Sequence, residues 1–573
     1  MYTMHFDFHR QPIEFSEPIH IVSVVSIDEV IPALQKVQQW VQKGYYAAGY
    51  LSYEAAPAFD PSYVVNQVES DLPLVFFGIY TKPQISQIAA RSADFEVSDW
   101  GPATDPQRYQ QSIQAIHEAI SRGETYQVNY TLRMHARITG DATGLYQKMN
   151  ENQQAEYGAY LQIGPYQILS ASPELFFHKK GDQIITKPMK GTAARGRYLT
   201  EDEKQAAGLY ESEKDRAENL MIVDLLRNDL GKICLPGSVE VTRLFEIEKY
   251  PTVFQMTSTI EGKLCPEIQL EDIFTALFPC GSITGAPKIE TMKHIKRLED
   301  SPRGVYCGSI GFIEPNGNAL FNVAIRTVLV DSRKNKAEFG VGGGITWDST
   351  VKGEYEEVIN KTKLLTKTTS DFELLETILL EKGEYFLLQQ HLDRMEKSAV
   401  YFGISYDRVA VRTELEKYKQ EDYKQPYRVR LLVNKFGKIS VEGNPFQQDH
   451  TKELLVRLAE QPVQSKYLFL FHKTTQRSVY NERRMEDPAL FDTLLWNESG
   501  EITEFTLGNV IVQIDGVNYT PPLTSGLLPG TYREELLRKG ELHERVLLHT
   551  DLEKAEGIWF INSVRKKLKV RLI

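Results

Sequence analysis

With 573 residues, 42% of them hydrophobic and 25% charged, the chain can bury large cores without disulfide or metal staples, in roughly three to five domains or two large ones. Its formal net charge of −11 excludes a general nucleic-acid binder, which needs a basic surface, but leaves small anionic ligands open because local clusters can outvote the total. Cys234, Cys265, Cys280 and Cys307 form no CxxC pair, and neither a basic-then-apolar leader nor a run of about 18 apolar residues occurs, so a soluble cytoplasmic protein without a zinc or dithiol motif is expected.

Taken in chain order, IHIVSVV and LPLVFFGIY read as strands, with a helical pattern around Ile31–Trp40 between them. A helix is expected over Tyr109–Arg122, then a mixed series to about residue 340, and one more helix over Gly353–Leu365. LTKTTSD has no apolar face and reads as a short tether near residues 366–371. The chain restarts with a strand, FELLETILL, a turn at Lys382–Gly383 and a second strand, YFLLQQ.

Five clusters before residue 366 suit a small dianion. KPMKGTAARGR sets Lys187, Lys190, Arg195 and Arg197 around two glycines, a loop that an anion could approach closely or that could simply be solvated. AENLMIVDLLRNDLGKI reads as an amphipathic helix closed by Gly231, carrying Glu218, Asp224, Arg227 and Asn228. In PCGSITGAPKIETMKHIKRL a flexible Gly281–Gly285 turn leads into a helix with Pro287 in its first turn and Ile289, Met292, Ile295 and Leu298 on one face. The free N–H groups at such a helix start bind carboxylates or merely cap a turn. FNVAIRTVLV reads as one strand with Asn322, Ala324 and Arg326 on a single face, and an arginine there needs a carboxylate, bound or structural. VGGGITWDSTVKGEYEEVINKTK puts Glu354, Glu357 and Lys361 on one helical face, as a surface ion pair or as two hard carboxylates for Mg²⁺ beside a lysine.

Together, DLLRNDLG, GSITGAPK and GGGI…EYEE…NK in this order resemble the chorismate-utilising enzymes, the family of anthranilate synthase and aminodeoxychorismate synthase component I. The resemblance is close over roughly residues 100–365, and GYLSYEAAPAFDP extends it toward the aminodeoxychorismate branch. It implies an α+β fold of two packed, mostly antiparallel sheets with helices, the active site lying between the sheets. It also implies Mg²⁺ held by Glu218 and Glu357 with Glu354 close behind, and carboxylates held by Arg326 and Lys361. Thr284, Gly285, Tyr306 and Gly343 match positions that line the substrate pocket. Lys190 marks the branch: the anthranilate synthases carry a small residue there, whereas the aminodeoxychorismate synthases carry a lysine that attacks chorismate C2 while the C4 hydroxyl leaves, before ammonia enters at C4. Such a lysine must be partly neutral. Glu174, in SASPELFF, matches the acid that helps the hydroxyl leave. Gln255 stands where many relatives carry histidine, and a glutamine exchanges no protons near neutrality. No G-x-C-x-G-x-Q nucleophile elbow occurs, so the resemblance implies a separate glutamine amidotransferase subunit as the ammonia source.

From residue 371 onward the pattern changes. His391 and Arg394 fall on an expected helix, Lys473 ends an expected strand (KYLFLFHKTTQR), Glu504 and Asn509 lie in a strand and turn, and Gly530 and Thr531 precede a helix carrying Arg533. Singly these are a surface lysine, an edge carboxylate and a helix cap. As a set they resemble the fold-type IV pyridoxal-phosphate enzymes, a two-subdomain fold that includes aminotransferases and aminodeoxychorismate lyase. The resemblance implies Lys473 as the Schiff-base lysine, Glu504 against the pyridine nitrogen with Asn509 nearby, and Arg394 with Thr531 at the phosphate. Arg428 and Arg430, alternating in YRVRLLV, are candidates for a carboxylate. A homodimer through this part is an expectation from the same resemblance, and the amino-terminal strand looks trimmed, beginning at FELLET.

The expected organisation is thus residues 1–365 for chorismate amination (1–100 the amino-terminal part, 101–365 the core), 366–371 a tether, and 372–573 a lyase. The expected activity is chorismate to 4-aminobenzoate, because amination followed by lysis makes successive steps. An anthranilate synthase joined to an unrelated aminotransferase is the alternative that Lys190 argues against. A silent scaffold for a glutaminase is the alternative that the intact set of Lys190, Glu218, Glu357, Lys473 and Glu504 argues against.

Overall fold

The computed structural model describes residues 2–9, 11–67, 71–86, 88, 94–366, 371–419, 425–447, 453–484 and 487–573. Residues 367–370 of the expected tether lie outside these. The chain divides into two compact units, one of Met1–Ala194 with Ala206–Thr369, the other of Arg195–Gln205 with Ser370–Ile573.

In the first unit two antiparallel sheets pack face to face. One has the strands Gln127–Gly140, Lys336–Ile345, Thr327–Asp331, Tyr166–Ser172, Tyr157–Ile163 and Tyr2–Phe8 in that spatial order. The other runs Val253–Lys263, Gln183–Lys187, Leu175–Lys180, Ala319–Val323, Ser309–Ile313, Tyr46–Leu51 and Val75–Tyr80. Side chains that alternate inward from both fill the gap between them, Met4, Phe6, Phe8 and Ile168 from one and Ala48, Tyr50, Ile310 and Leu320 from the other. The helix Pro106–Ser121, capped by Asp105 accepting from the Arg108 N–H at 2.9 Å, covers the outer face of the first sheet with Ile113 and Ile116. Val30–Gln42 covers the second through Leu34, Val37 and Val41.

The ten-residue run Phe321–Val330 does not form one strand. Ala319–Val323 belongs to the second sheet and Thr327–Asp331 to the first, and the chain changes sheets through Ala324–Arg326, with Arg326 in the left-handed region at φ +52°. Apolar periodicity cannot see such a change, because both halves are buried. A second crossing lies at Pro173–Glu174, between Tyr166–Ser172 and Leu175–Lys180. The two crossings are bonded together: Val323 N–H donates to the Glu174 carbonyl (3.0 Å) and Ala171 N–H to the Arg326 carbonyl (3.1 Å).

The second unit has two subdomains. A four-stranded sheet built on Leu374–Glu381, Tyr427–Val433 and Ile439–Pro445 buries Ile378, Val429 and Leu431 against the helices Leu388–Phe402 and Arg408–Lys419. An eight-stranded mixed sheet closes on itself where Ile502–Phe505 pairs with Asn509–Ile514, around Val456, Leu494, Val510 and Phe560. Two expectations need correction here. Of YFLLQQ only Tyr385 is strand, in the short strand Glu384–Tyr385, and helix begins at Leu388, because Leu388, Leu392 and Met395 pack as one helical stripe. Lys473 does not end a strand: a 3-10 turn at Leu468–Leu470 precedes it, with Leu470 and Phe471 both buried rather than alternating.

Candidate active sites

A cavity of about 290 Å³ opens in the first unit beside both crossings. Glu174 and Arg326 enter it from the crossings, Lys190 from the strand Met189–Ala194, Glu218 from the helix Glu213–Gly231, and Glu354, Glu357 and Lys361 from the helix Val351–Thr366. The floor is the glycine run of Lys336–Ile345. Side chains there would fill the space from within. A Cβ on Gly343 would stand 3.1 Å from Glu354 Oε2 and 3.8 Å from Lys361 Nζ; one on Gly344 would run into Gln127 Nε2 and stand 3.0 Å from Lys190 Nζ; one on Gly340 would strike the Tyr306 ring.

Burial governs the charges. It lowers the Lys190 ammonium from its ordinary range, against the pull of Glu218 and Glu174. It pushes the Glu174 carboxyl up to about 7, and Glu174 Oε1 is buried without a hydrogen-bond partner. Glu218 and Glu354 are raised by the same desolvation. Glu357 is held down, first by Lys361 at 2.6 Å. An amine made less basic and a carboxyl made less acidic by burial thus line one cavity, the direction of shift that a nucleophile and a general acid require.

Lys190, Glu174, Glu218, Glu354, Glu357, Tyr306, Arg326, Gly343, Lys361 and Gln255 all line this cavity. Gln255 accepts from the Thr192 hydroxyl at 3.2 Å. Thr284 and Gly285 do not line it. The Thr284 hydroxyl donates to the Cys280 carbonyl (3.1 Å), Gly285 pairs with Val128, and Ser282 and Ile283 face the cavity instead. The turn thus bends one residue pair earlier than expected. Pro287 is the cap of Lys288–Leu298, not part of its first turn, and Ile289 is exposed. The basic loop is also not a common anion site. Lys187 pairs with Glu248, Arg195 with Asp202 (2.7 Å) and Arg197 with Glu201 (2.9 Å), so that of these four only Lys190 lines the cavity. Among the described residues no three His, Cys, Asp or Glu side chains stand close enough to hold a metal ion, since Glu357 is turned to Lys361 and Glu354 to the Ser349 hydroxyl (2.7 Å).

The second unit holds a cavity of about 450 Å³ lined by Lys473, Arg477, Tyr480, Glu504, Asn509 and Thr531, among others. Burial, with Arg394 and Arg477 adding to it, pulls the Lys473 amine down to about 7. Glu504 is pushed up to about 8 by burial, although it accepts from the Tyr480 hydroxyl (2.9 Å), the Leu528 N–H (3.0 Å) and the Asn509 amide (3.1 Å). These bonds fix the carboxyl in place. Gly530 caps the helix Thr531–Arg538, and a Cβ there would strike Asn509 Oδ1. Arg394 lines the cavity, but its Nε (2.9 Å) and Nη2 (2.6 Å) clasp the Glu376 carboxylate, and Nη1 donates to the Pro529 carbonyl (2.9 Å).

Glu376 is one residue that the sequence reading missed. It bonds His391 Nδ1 at 2.6 Å, and His391 Nε2 lies 3.3 Å from the Thr531 hydroxyl. Burial would raise Glu376, but Arg394 and His391 overcome it and hold the carboxyl down at about 2. Its signal was an acid in the apolar strand Leu374–Glu381, with His391 and Arg394 one turn apart on the following helix. Gln127 is another. It is fully buried with neither end of its amide bonded, and the alternation Gln127, Asn129, Thr131 against Val128, Tyr130, Leu132 would have marked a polar buried face.

Residues 23–367 match the family described as chorismate binding enzyme, and residues 373–573 match class IV amino-transferases. Aminodeoxychorismate synthase component 1 of Escherichia coli is 39% identical over 283 residues, 49% of this chain and 62% of that protein. Its Bacillus subtilis namesake is 40% identical over 253 residues, 44% and 53% of the two chains. Anthranilate synthase component 1 of Saccharolobus solfataricus is 33% identical over 333 residues, 55% of this chain and 79% of that one. The chain spans less than two thirds of the aminodeoxychorismate synthases it matches. Among solved structures, anthranilate synthase component I from Streptococcus pneumoniae superimposes with a TM-score of 0.56 at 26% identity, over 63% of this chain and 92% of that one. With the first match covering well over half of its residues, the chain belongs to the chorismate binding enzyme family, followed by a class IV amino-transferase match.

Proposed function

We propose that the chain makes 4-aminobenzoate from chorismate and ammonia, aminating chorismate to 4-amino-4-deoxychorismate through residues 1–365 and eliminating pyruvate through 372–573. The observation that carries this is the Lys190 amine, made less basic by burial, in one cavity with the Glu174 carboxyl that burial raises to about 7. Lys190 Nζ bonds to C2 as the C4 hydroxyl leaves with the Glu174 proton, ammonia then bonds to C4, and the bond from Lys190 to C2 breaks. Arg326 binds a substrate carboxylate, and burial in this cavity strengthens that attraction. Glu218, Glu357 and Glu354 offer hard oxygen donors, which suit Mg²⁺, an ion that usually takes one or two carboxylates and completes its shell with water and substrate. Bound Mg²⁺ would supply neutralisation of a chorismate carboxylate.

The second cavity fits pyridoxal phosphate by its donor set: a buried amine, a fixed buried carboxyl and a helix start cradled by Gly530. The cofactor would supply the electron sink for elimination. Lys473 Nζ, brought down to about 7 by burial, moves the C4 proton; Glu504 holds the pyridine nitrogen; Thr531 and Arg394 bind the phosphate. Ammonia comes from a glutamine amidotransferase partner. The setting proposed is the cytoplasm, which suits four free cysteines, and no helix among the described residues is long and apolar enough to cross a membrane.

The test is product identification from chorismate, Mg²⁺, pyridoxal phosphate and concentrated ammonium at mildly basic pH. 4-Aminobenzoate with pyruvate is the expected result. Anthranilate would overturn the assignment of Lys190, and aminodeoxychorismate alone would overturn the assignment of the rear cavity.

A further inference from the structure

The rear cavity carries more cations than its acids and a cofactor phosphate require. Of its arginines, Arg394 is clasped by Glu376, Arg430 pairs with Glu442 (3.4 Å), and Arg477 donates to the Thr506 carbonyl (2.6 Å) over the Tyr480 ring. Arg428 and Arg565 remain, and among the described residues neither is in a salt bridge, although the Asp492 charge reaches Arg565 and partly offsets the effect of burial. They come from different sheets. Arg428 lies on Tyr427–Val433, with Thr377, Arg430 and Asn444 on the face turned to the cavity, because Val429 and Leu431 are buried on the other. Arg565 lies in the turn between Gly557–Asn562 and Lys566–Leu572, which Asn562 Oδ1 fixes by accepting from the N–H groups of Val564 (3.0 Å) and Arg565 (2.7 Å). The Arg565 guanidinium is half-buried and stands 5.5 Å from the rings of both Phe446 and Phe491, so it cannot swing freely into solvent. Burial and the like charge of Arg428 both disfavour its cationic form. Two guanidinium groups that line one cavity, near enough for one to disfavour the charge of the other, gain from an anion between them.

We propose that Arg428 and Arg565 form a carboxylate clamp in the rear cavity that selects an amine bearing a ring carboxylate remote from the amino group. This rests on reading Lys473 as the group that meets the amine. In 4-amino-4-deoxychorismate the ring carboxylate is across the ring from the amine, so amine and clamp engage opposite ends of one rigid molecule. A simple amino acid, with its carboxylate beside its amine, cannot reach both.

The experiment uses the holoenzyme and isophthalate, a six-membered ring with two carboxylates and no amine, with affinity read by calorimetry. Arg428→Gln and Arg565→Gln should each weaken isophthalate at least tenfold while cofactor absorbance is retained, and the exposed Lys567→Gln should leave it within threefold. Failure of the wild type to bind isophthalate, or unchanged affinity in both arginine variants, would overturn the clamp whatever product the enzyme makes. With supplied aminodeoxychorismate, the same two variants should raise KM at least tenfold with kcat within threefold. Turnover with unchanged KM overturns the clamp and keeps the lyase; isophthalate affinity present in the wild type and lost in the arginine variants, with a wild type that makes no 4-aminobenzoate, keeps the clamp and removes the lyase.

Discussion

Replacing Glu376 by glutamine tests whether a buried charge, rather than shape, positions the wall of the rear cavity. Glu376 is 1% exposed and meets a fully buried His391 and an Arg394 whose side chain is 11% exposed. Removing one partner of a buried ion pair costs about 3–5 kcal/mol. Glutamine keeps the size and one acceptor, so the lower end applies, about 3 kcal/mol. At roughly 2–4 °C per kcal/mol for a unit of this size, the rear unit should melt about 6–12 °C lower. The loss also reaches the cofactor, because Arg394 and the His391–Thr531 contact set the helix start; if all of it appeared there, the Kd of pyridoxal phosphate would rise on the order of 100-fold. The measurements are calorimetric melting and an absorbance titration. The sign with pH is fixed: Glu376 is held at about 2, below its unfolded value near 4.5, so its contribution is complete above about pH 4.5 and is lost as pH falls toward 2. The difference between wild type and variant should therefore shrink in acid. A shift below about 1 °C at neutral pH, with unchanged cofactor affinity, would refute the reasoning.

Lys190→Ala should stop amination yet leave the rear step active on supplied aminodeoxychorismate; loss of both steps would show that they are not independent. Lys473→Ala should let aminodeoxychorismate accumulate from chorismate and ammonium, and undiminished 4-aminobenzoate would refute its role. Amination should fall as pH rises through about 7, because Glu174 must hold its proton. Glu174→Gln should remove the alkaline limb and slow the step roughly 100-fold or more, as measured by a pH–rate profile. Gly344→Ala should nearly abolish amination while leaving the rear step intact, because its Cβ runs into Gln127 and crowds Lys190.

Much of the front cavity was legible because its parts are chemically unlike their surroundings. Lys190, Glu174, Glu218, Glu357 and Arg326 interrupt apolar or glycine-rich segments, and the fold gathers them. Helices with a clear stripe, such as Pro106–Ser121, were legible for the same reason. What failed was whatever depends on a distant partner. The sheet change at Arg326 leaves no mark in a run that is buried on both sides. Arg195 and Arg197 looked like an anion site until Asp202 and Glu201 folded back onto them. Glu376 looked ordinary because the residues that hold its charge lie one helix later. Local pattern reports exposure and period, whereas ion pairing and sheet membership are long-range facts.

The bonded crossings at Glu174 and Arg326 have a mechanical consequence. Each joins the same two sheets, and each donates or accepts through the other's backbone, so they act as a weld at one corner of the sandwich. Sliding of one sheet over the other must pivot there rather than open there. The amides of Ala171 and Val323 should consequently be among the last in this unit to exchange with heavy water, while the far edges breathe first. Glu174 and Arg326 would then keep their spacing through motions that loosen the rest of this unit.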